Sequence, residues 1–212
     1  SIKGYGIPSL VLMERAAMAV AEKAEEILEK EEAGTVWSVC GFGNNGADGV
    51  AAARMLFLKG YDVKIVFPQR DGKGSEELEA QLNVVKRLGI SVMTAEDLPD
   101  LVEKKIPAQS FRKAGERKRS CRGVILDAIF GIGLSRNVEG AYRKLIRWIN
   151  GQEDMKVIAV DVPSGISSDN GSVMGDAVRA DVTVTFGEKK LGQVLFPGRE
   201  LCGHLLVKDV GF

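Results

Sequence analysis

The 212-residue chain has one histidine, His204, and three widely spaced cysteines, Cys40, Cys121 and Cys202. A lone histidine excludes multi-histidine metal centres and, with no G-x-S-x-G elbow, argues against a Ser-His-Asp arrangement. An odd number of cysteines with no C-x-x-C pair is not a disulfide framework. It points to reduced thiols, each a small core residue, in an intracellular and cytoplasmic protein. Twenty-nine basic residues balance 29 acidic ones, so no overall field draws the chain to nucleic acid or to an anionic membrane, and neither partner is expected. No apolar run approaches the roughly 18 residues of a transmembrane helix. The absence of G-x-x-x-x-G-K-[ST] excludes a P-loop phosphotransferase. The first residues show neither an initiator Met nor a signal peptide, so the natural N-terminus is expected to lie upstream.

What is present is an alternation of helical and strand-like segments in a length that suits one domain spanning 1–212. Leu10, Met13, Ala17, Val20, Ala24 and Ile27 recur every three or four residues, which predicts a long amphipathic helix with Ser9 as its N-cap. Strand-like runs follow at 61–67, 90–93, 124–127, 156–161, 182–187 and 205–208, with helical spacing at 75–88 and 138–149 between them. Strands that read as near-continuous apolar runs imply a parallel sheet covered on both faces, an α/β fold. In such sheets ligands sit beyond the carboxyl ends of the strands, where strand order reverses.

The stretch 36–58 reads as strand, glycine loop and helix. Gly41, Gly43 and Gly46 fit G-x-G-x-x-G, whose glycines allow positive φ and close backbone approach to a phosphate at the helix N-terminus. A nicotinamide dehydrogenase also wants an acid at the end of the next strand. Here Asp62 stands at that strand's beginning, so the dinucleotide fingerprint is incomplete. Asn44, Asn45 and Asp48 add three oxygen-bearing side chains at the strand's carboxyl edge, as ligand contacts or as turn and cap residues. Asp127 and Asp161 each end an apolar strand, and Ser164 follows Asp161, so the fold is expected to bring all six to one rim. Residues 104–122 carry eight basic residues against Glu116 and read as an exposed basic insertion.

Leu12-Met13-Glu14, the run Gly43 to Gly49, Asp127-Ala128-Ile129-Phe130-Gly131-Ile132-Gly133, Asp161-Val162-Pro163-Ser164-Gly165-Ile166 and Phe196-Pro197-Gly198-Arg199 together resemble the NAD(P)H-hydrate epimerases, over nearly the whole chain. The resemblance implies a Rossmann-like three-layer α/β/α sandwich with a mostly parallel sheet. It also implies an isomerase of cofactor repair that interconverts the R and S forms of NADHX and NADPHX, nicotinamide cofactors hydrated at C6. Carried over by motif, the substrate contacts fall on Asn44, Asn45, Gly46, Ala47 and Asp48, on Gly131, Ile132, Gly133, Leu134, Ser135, Arg136 and Asn137, and on Asp161, which is also the expected acid and base. The resemblance places a potassium ion, K+, on Asn45, Asp127 and Ser164, an all-oxygen set suited to a hard cation. Its implied partner is an ADP- or ATP-dependent dehydratase, separate or fused in a longer protein, and the long first helix offers a surface for a homodimer. Lys190 is either a phosphate contact or a plain surface lysine. The family usually shows Gly at Ala47 and Asn-Ala-Gly at Arg15-Ala16-Ala17, so backbone approach to substrate at 47 is expected to be looser. Two other readings stay open: an NAD(P)-dependent oxidoreductase, and a protein- or RNA-associated binding module of the same fold.

Overall fold

The computed structural model describes residues 6–98 and 121–211. Its strands form where the apolar runs lie: β1 (Thr35–Cys40), β2 (Asp62–Phe67), β3 (Ser91–Thr94), β4 (Gly123–Ala128), β5 (Met155–Val160), β6 (Val182–Phe186) and β7 (His204–Lys208). Every residue of β4 is buried, as the central position of a sheet covered on both faces demands. All seven strands are parallel and lie in one sheet, in the order β3-β2-β1-β4-β5-β6-β7. The expected sheet was mostly parallel; among the described residues it is wholly so. The chain walks outward from β1 to β3, returns to β4 and walks out the other way, which puts the switch in strand order between β1 and β4.

Helices α1 (Ser9–Lys30), α2 (Asn44–Leu58), α3 (Glu76–Leu88) and α4 (Gly140–Gly151) cover the faces, and the short α5 (Leu191–Val194) and α6 (Gly198–Leu201) carry the crossover from β6 to β7. Each sheet face has its own buried cluster, one around Val20, Leu56 and Leu126, the other around Ile125, Ile146 and Trp148. The alternation of Ile125 and Leu126 between the clusters is the period of two that a strand imposes. Trp37 and Trp148 meet edge to face in the second cluster, ring centroids 5.3 Å apart.

Several boundaries differ from the sequence reading for local reasons. Ser9 is the first residue of α1 and not its cap; Pro8 stands at the N-cap, and Ser9 Oγ donates to Glu77 Oε1 at 2.6 Å instead. The helix read from 138 begins at Gly140, because the Val138 N–H is taken by the Met174 carbonyl at 2.9 Å. Ser75 caps α3 as its residue type favours, accepting from the Leu78 N–H at 3.2 Å. Of the basic segment, only Cys121 and Arg122 lie among the described residues, and Arg122 Nε pairs with Asp154 at 2.5 Å.

The Leu-Met-Glu block of α1 acts through Glu14. Arg54 Nη2 of α2 donates to both Glu14 oxygens, at 2.8 and 2.7 Å, and Arg54 Nε donates to Gln81 Oε1 of α3 at 3.1 Å. Gln81 Nε2 closes the ring by donating to Glu14 Oε1 at 2.8 Å. Three helices are thus tied by one partly buried network, which fixes α2 and the residues it presents to the carboxyl edge of the sheet.

Candidate functional site

The switch in strand order lies between β1 and β4, where ligands of such sheets bind beyond the carboxyl edge, and the sequence-predicted residues reach that edge from four segments. From β1 the chain turns through Gly41 and Gly43 into α2. None of the glycines at 41, 43, 46 and 49 has a positive φ. Their role is close approach. A Cβ on Gly41 would lie 2.1 Å from the Ile129 carbonyl oxygen, one on Gly46 1.9 Å from the Gly41 carbonyl oxygen, and one on Gly49 2.3 Å from the Ala128 Cβ. Gly43 faces open space. Helix α2 is therefore pressed against the ends of β1 and β4, and its first turn is made of the residues read as a loop.

Asn44 is the first residue of α2, with Gly43 at the N-cap and no side-chain cap. Asp48 is thus one turn inside the helix and does not cap it. The first N–H groups of a helix have no partner within it, so Asn44, Asn45 and Gly46 present a site suited to anions. Ala47, where a Gly was the family pattern, is fully buried, so its methyl enters the core and does not hold a ligand away. Beyond β2, the carboxyl end is Phe67-Pro68 and the acid Asp62 sits at the other end paired with Lys64, so no ribose-binding acid stands where a dehydrogenase needs one.

Asp127, in β4, is fully buried and bonded to Ser164: Ser164 Oγ donates to Oδ1 at 2.6 Å and the Ser164 N–H to Oδ2 at 2.8 Å. Ser164 Oγ also accepts from the Phe130 N–H at 2.9 Å. Burial pushes the Asp127 pKa up to about 6, against the Ser164 hydrogen bonds that favour the ionised form. Asn45 meets the same region from α2, because a Cβ on Gly131 would lie 3.3 Å from Asn45 Oδ1. Its Nδ2 is buried with no partner among the described residues. Turning that amide by 180° would put an oxygen in the orphaned position and break no hydrogen bond. No group of three His, Cys, Asp or Glu among the described residues could hold a metal. An amide oxygen, one carboxylate and a hydroxyl are the donors at hand, a set that fits a hard monovalent cation.

Asp161 follows β5 with a left-handed φ of 63°, a conformation an aspartate tolerates better than most residues. Its N–H donates to the Val184 carbonyl at 2.8 Å and its carbonyl accepts from Gln193 Nε2 at 2.6 Å. Its Oδ1 accepts from Lys190 Nζ at 2.5 Å and from Thr185 Oγ1 at 3.0 Å. Lys190 Nζ spends its other donors on Thr185 Oγ1, at 2.9 Å, and the Phe186 carbonyl, at 3.0 Å. With all three donors engaged, Lys190 is neither a free surface lysine nor placed to hold a phosphate. It fixes the Asp161 carboxylate. Lys190, Thr185 and Gln193 are the site residues that the sequence reading missed or misjudged; the hydroxyls of Thr183 and Thr185 in a strand buried from Val182 to Thr185 are the one signal that pointed to them.

Asp48 completes the rim. It is half-buried, and burial first, then the Asp161 and Glu77 carboxylates, raises its pKa well above the ordinary aspartate value. Residues Gly131 to Asn137 run from the carboxyl end of β4 as an irregular segment in which Ile132, Gly133, Ser135, Arg136 and Asn137 are exposed, Gly131 is half-buried, and Leu134 leans on the second core cluster.

A family model described as YjeF-related protein N-terminus matches residues 9–192. The bifunctional NAD(P)H-hydrate repair enzyme Nnr of Thermofilum pendens is 40% identical over 209 residues, 98% of this chain and 37% of that protein, so this chain spans just over a third of that relative. The NAD(P)H-hydrate epimerase of Oenococcus oeni is 38% identical over 213 residues, covering 100% of this chain and 90% of that one. That of Limosilactobacillus fermentum is 40% identical over 209 residues, 99% of this chain and 89% of the relative. The crystal structure of yeast YNL200c has the same fold, with a TM-score of 0.69 at 20% identity over 98% of this chain and 81% of that one. With its model matched across most of the sequence, the chain belongs to the YjeF-related protein N-terminus family.

Proposed function

We propose that this protein is an NAD(P)H-hydrate epimerase, an isomerase that interconverts the R and S forms of NADHX and NADPHX in the cytoplasm. Full-length similarity to curated epimerases supports the reading. The observation that carries it is the Asp161 carboxylate, held by Lys190 and Thr185 at the carboxyl edge of the sheet.

Carbon C6 of the hydrated ring bears a hydroxyl next to the ring nitrogen. When the C6–O bond breaks, the nitrogen lone pair forms a planar iminium and the oxygen leaves as water, provided a proton reaches it. Water that returns to the opposite face gives the other epimer and releases one proton, so atoms and charge balance with no redox step. Asp161 is the group for that proton traffic, and as a carboxylate it stabilises the cation between the two steps. The amino end of α2 at Asn44 to Gly46 suits the substrate pyrophosphate, and the segment Gly131 to Asn137 forms the outer wall. Asn45, Asp127 and Ser164 would hold the potassium ion, whose charge, when bound, offsets that of the buried carboxylate and of the substrate phosphates. A dehydratase that consumes the S form is the working partner, and the Thermofilum relative's name, bifunctional, fits its presence in a longer chain.

The assay follows loss of R-NADHX with an S-specific dehydratase in excess. The protein should accelerate that loss and Asp161→Asn should return it to the spontaneous rate with melting unchanged; wild-type activity in the variant would reject the role.

A further inference from the structure

The Asp161 carboxyl is fixed in place: its Oδ1 accepts from the Lys190 ammonium and the Thr185 hydroxyl, which leaves its Oδ2 to exchange a proton with the substrate. Epimerisation through a planar cation demands more than one fixed group. The proton must be delivered on one face of the ring and collected on the other, and a single fixed carboxylate reaches one face.

Asp48 supplies what is missing. Its carboxyl has no hydrogen bond or ion pair among the described residues, although it is half-buried. It comes from α2, after β1, whereas Asp161 follows β5, and β4 lies between those strands. The strands from which the two segments issue, β1 and β5, stand two spacings apart, about 10 Å, the scale of one flat ring with a carboxyl on either side. The charges that face Asp48 come from two elements: Asp161 after β5, and Glu77 of α3. The Ser9 hydroxyl, bonded to Glu77 at 2.6 Å, holds that acid in its ionised form. Burial and those two neighbours favour the protonated form of Asp48. Asp161 accepts from Lys190 and Thr185 whereas Asp48 has no such donor among the described residues, so the two carboxyls stand in the contrasting environments of an acid and base pair.

We propose that Asp48 is a second catalytic residue, which protonates the departing C6 hydroxyl on one face of the ring while Asp161, fixed by Lys190, takes the proton from the water that returns on the other. The inference rests on the epimerase reading and assigns the two faces to two groups. In the reverse direction the roles exchange, Asp161 giving the proton and Asp48 receiving it, and solvent resets the pair between turnovers.

The test is oxygen exchange in H2(18)O, with R- and S-NADHX separated and weighed by mass spectrometry. Wild type should interconvert the epimers and label both. Asp48→Asn should lose interconversion by about 10²–10⁴-fold, the scale of a general acid, yet still label the one epimer whose hydroxyl faces Asp161. Asp161→Asn should show the mirror pattern, labelling only the other epimer. Asp48→Ser, which also lacks the acid, should repeat the Asp48→Asn pattern, and unchanged melting temperatures confirm that the fold is kept. Interconversion by Asp48→Asn at the wild-type rate, or labelling of both epimers or of neither, overturns the division of labour. A wild-type protein without activity overturns the epimerase reading itself, which is a different outcome.

Discussion

Asp127→Asn is the substitution whose effect the structure lets one calculate. Asp127 is fully buried and its pKa is about 6, against 3.8 for a free aspartate. Because the folded-state value is the higher one, protonation favours the fold: the benefit is complete below about pH 4 and is lost as pH rises through about 6. The difference is about 2.2 units, and at about 1.4 kcal/mol per unit it amounts to about 3 kcal/mol lost by neutral pH. A cation on Asn45, Asp127 and Ser164 would offset much of this, since a ligand at 100 times its Kd adds about 2.7 kcal/mol. Urea melts between pH 4 and 8 in potassium-free buffer should show Asp127 weakening wild type by about 2 kcal/mol across pH 4–6.5, with recovery on addition of KCl. Asp127→Asn should lack that part of the slope, keeping only what Asp48 and the other carboxyls contribute, and should be indifferent to potassium. At pH 7 without potassium it should be the more stable protein by about 1–3 kcal/mol, the range allowing for weaker bonds to Ser164. A variant with the wild-type pH slope, or one that potassium stabilises as it does wild type, would refute both the buried-charge reasoning and the ligand assignment.

The glycines of the first turn separate close packing from conformation. Gly46→Ala, whose Cβ would meet the Gly41 carbonyl at 1.9 Å, should cost about 1–3 kcal/mol in thermal melts, whereas Gly43→Ala, with open space at its Cβ, should stay within about 0.5 kcal/mol. For Lys190→Met, steady-state kinetics should show kcat falling by about 10–100-fold with KM little changed, the mark of an orienting partner; a rise in KM at constant kcat would return the lysine to the phosphate.

The sheet was legible because a buried parallel strand has little freedom in composition: Val124 to Leu126 and Val157 to Val160 are apolar without interruption, and only such strands put Asp127 and Asp161 at a shared edge. The candidate site was legible to the same depth, since carboxyl ends of neighbouring strands converge whatever the connections do. Reasons were harder to read than positions. Gly41, Gly43 and Gly46 read as a phosphate loop shaped by positive φ, yet none has one; Gly41 and Gly46, with Gly49, are small because β1, β4 and α2 touch there, while Gly43 faces open space. That contact brings together residues 41 and 129, which no local pattern links. Asn44 to Asp48 read as loop because Asn and Asp favour turns, but packing of Gly46 and Gly49 against the sheet overrides that preference and starts the helix at Asn44. Lys190 is the plainest case. Its partner Asp161 is 29 residues away, and a lysine engaged on all sides has the same sequence signature as one in solvent.

Asp127, fully buried, and Asp48, half-buried, meet the cost of leaving water in different ways, and the difference tells their chemistry apart. Asp127 sits in β4 with both oxygens bonded by Ser164, which supports the charged form even as burial opposes it; an acid arranged in this way is completed by a cation. Asp48 has no such donors, and its neighbours Asp161 and Glu77 are negative, so it is completed by a proton. Asp161 differs from both in having a permanent positive partner. Three carboxyls on one rim would repel each other if all were charged and bare. Assigning one to a cation, one to a proton and one to a lysine removes that repulsion and leaves a single group, Asp48, whose proton can be given up without breaking a bond in the protein.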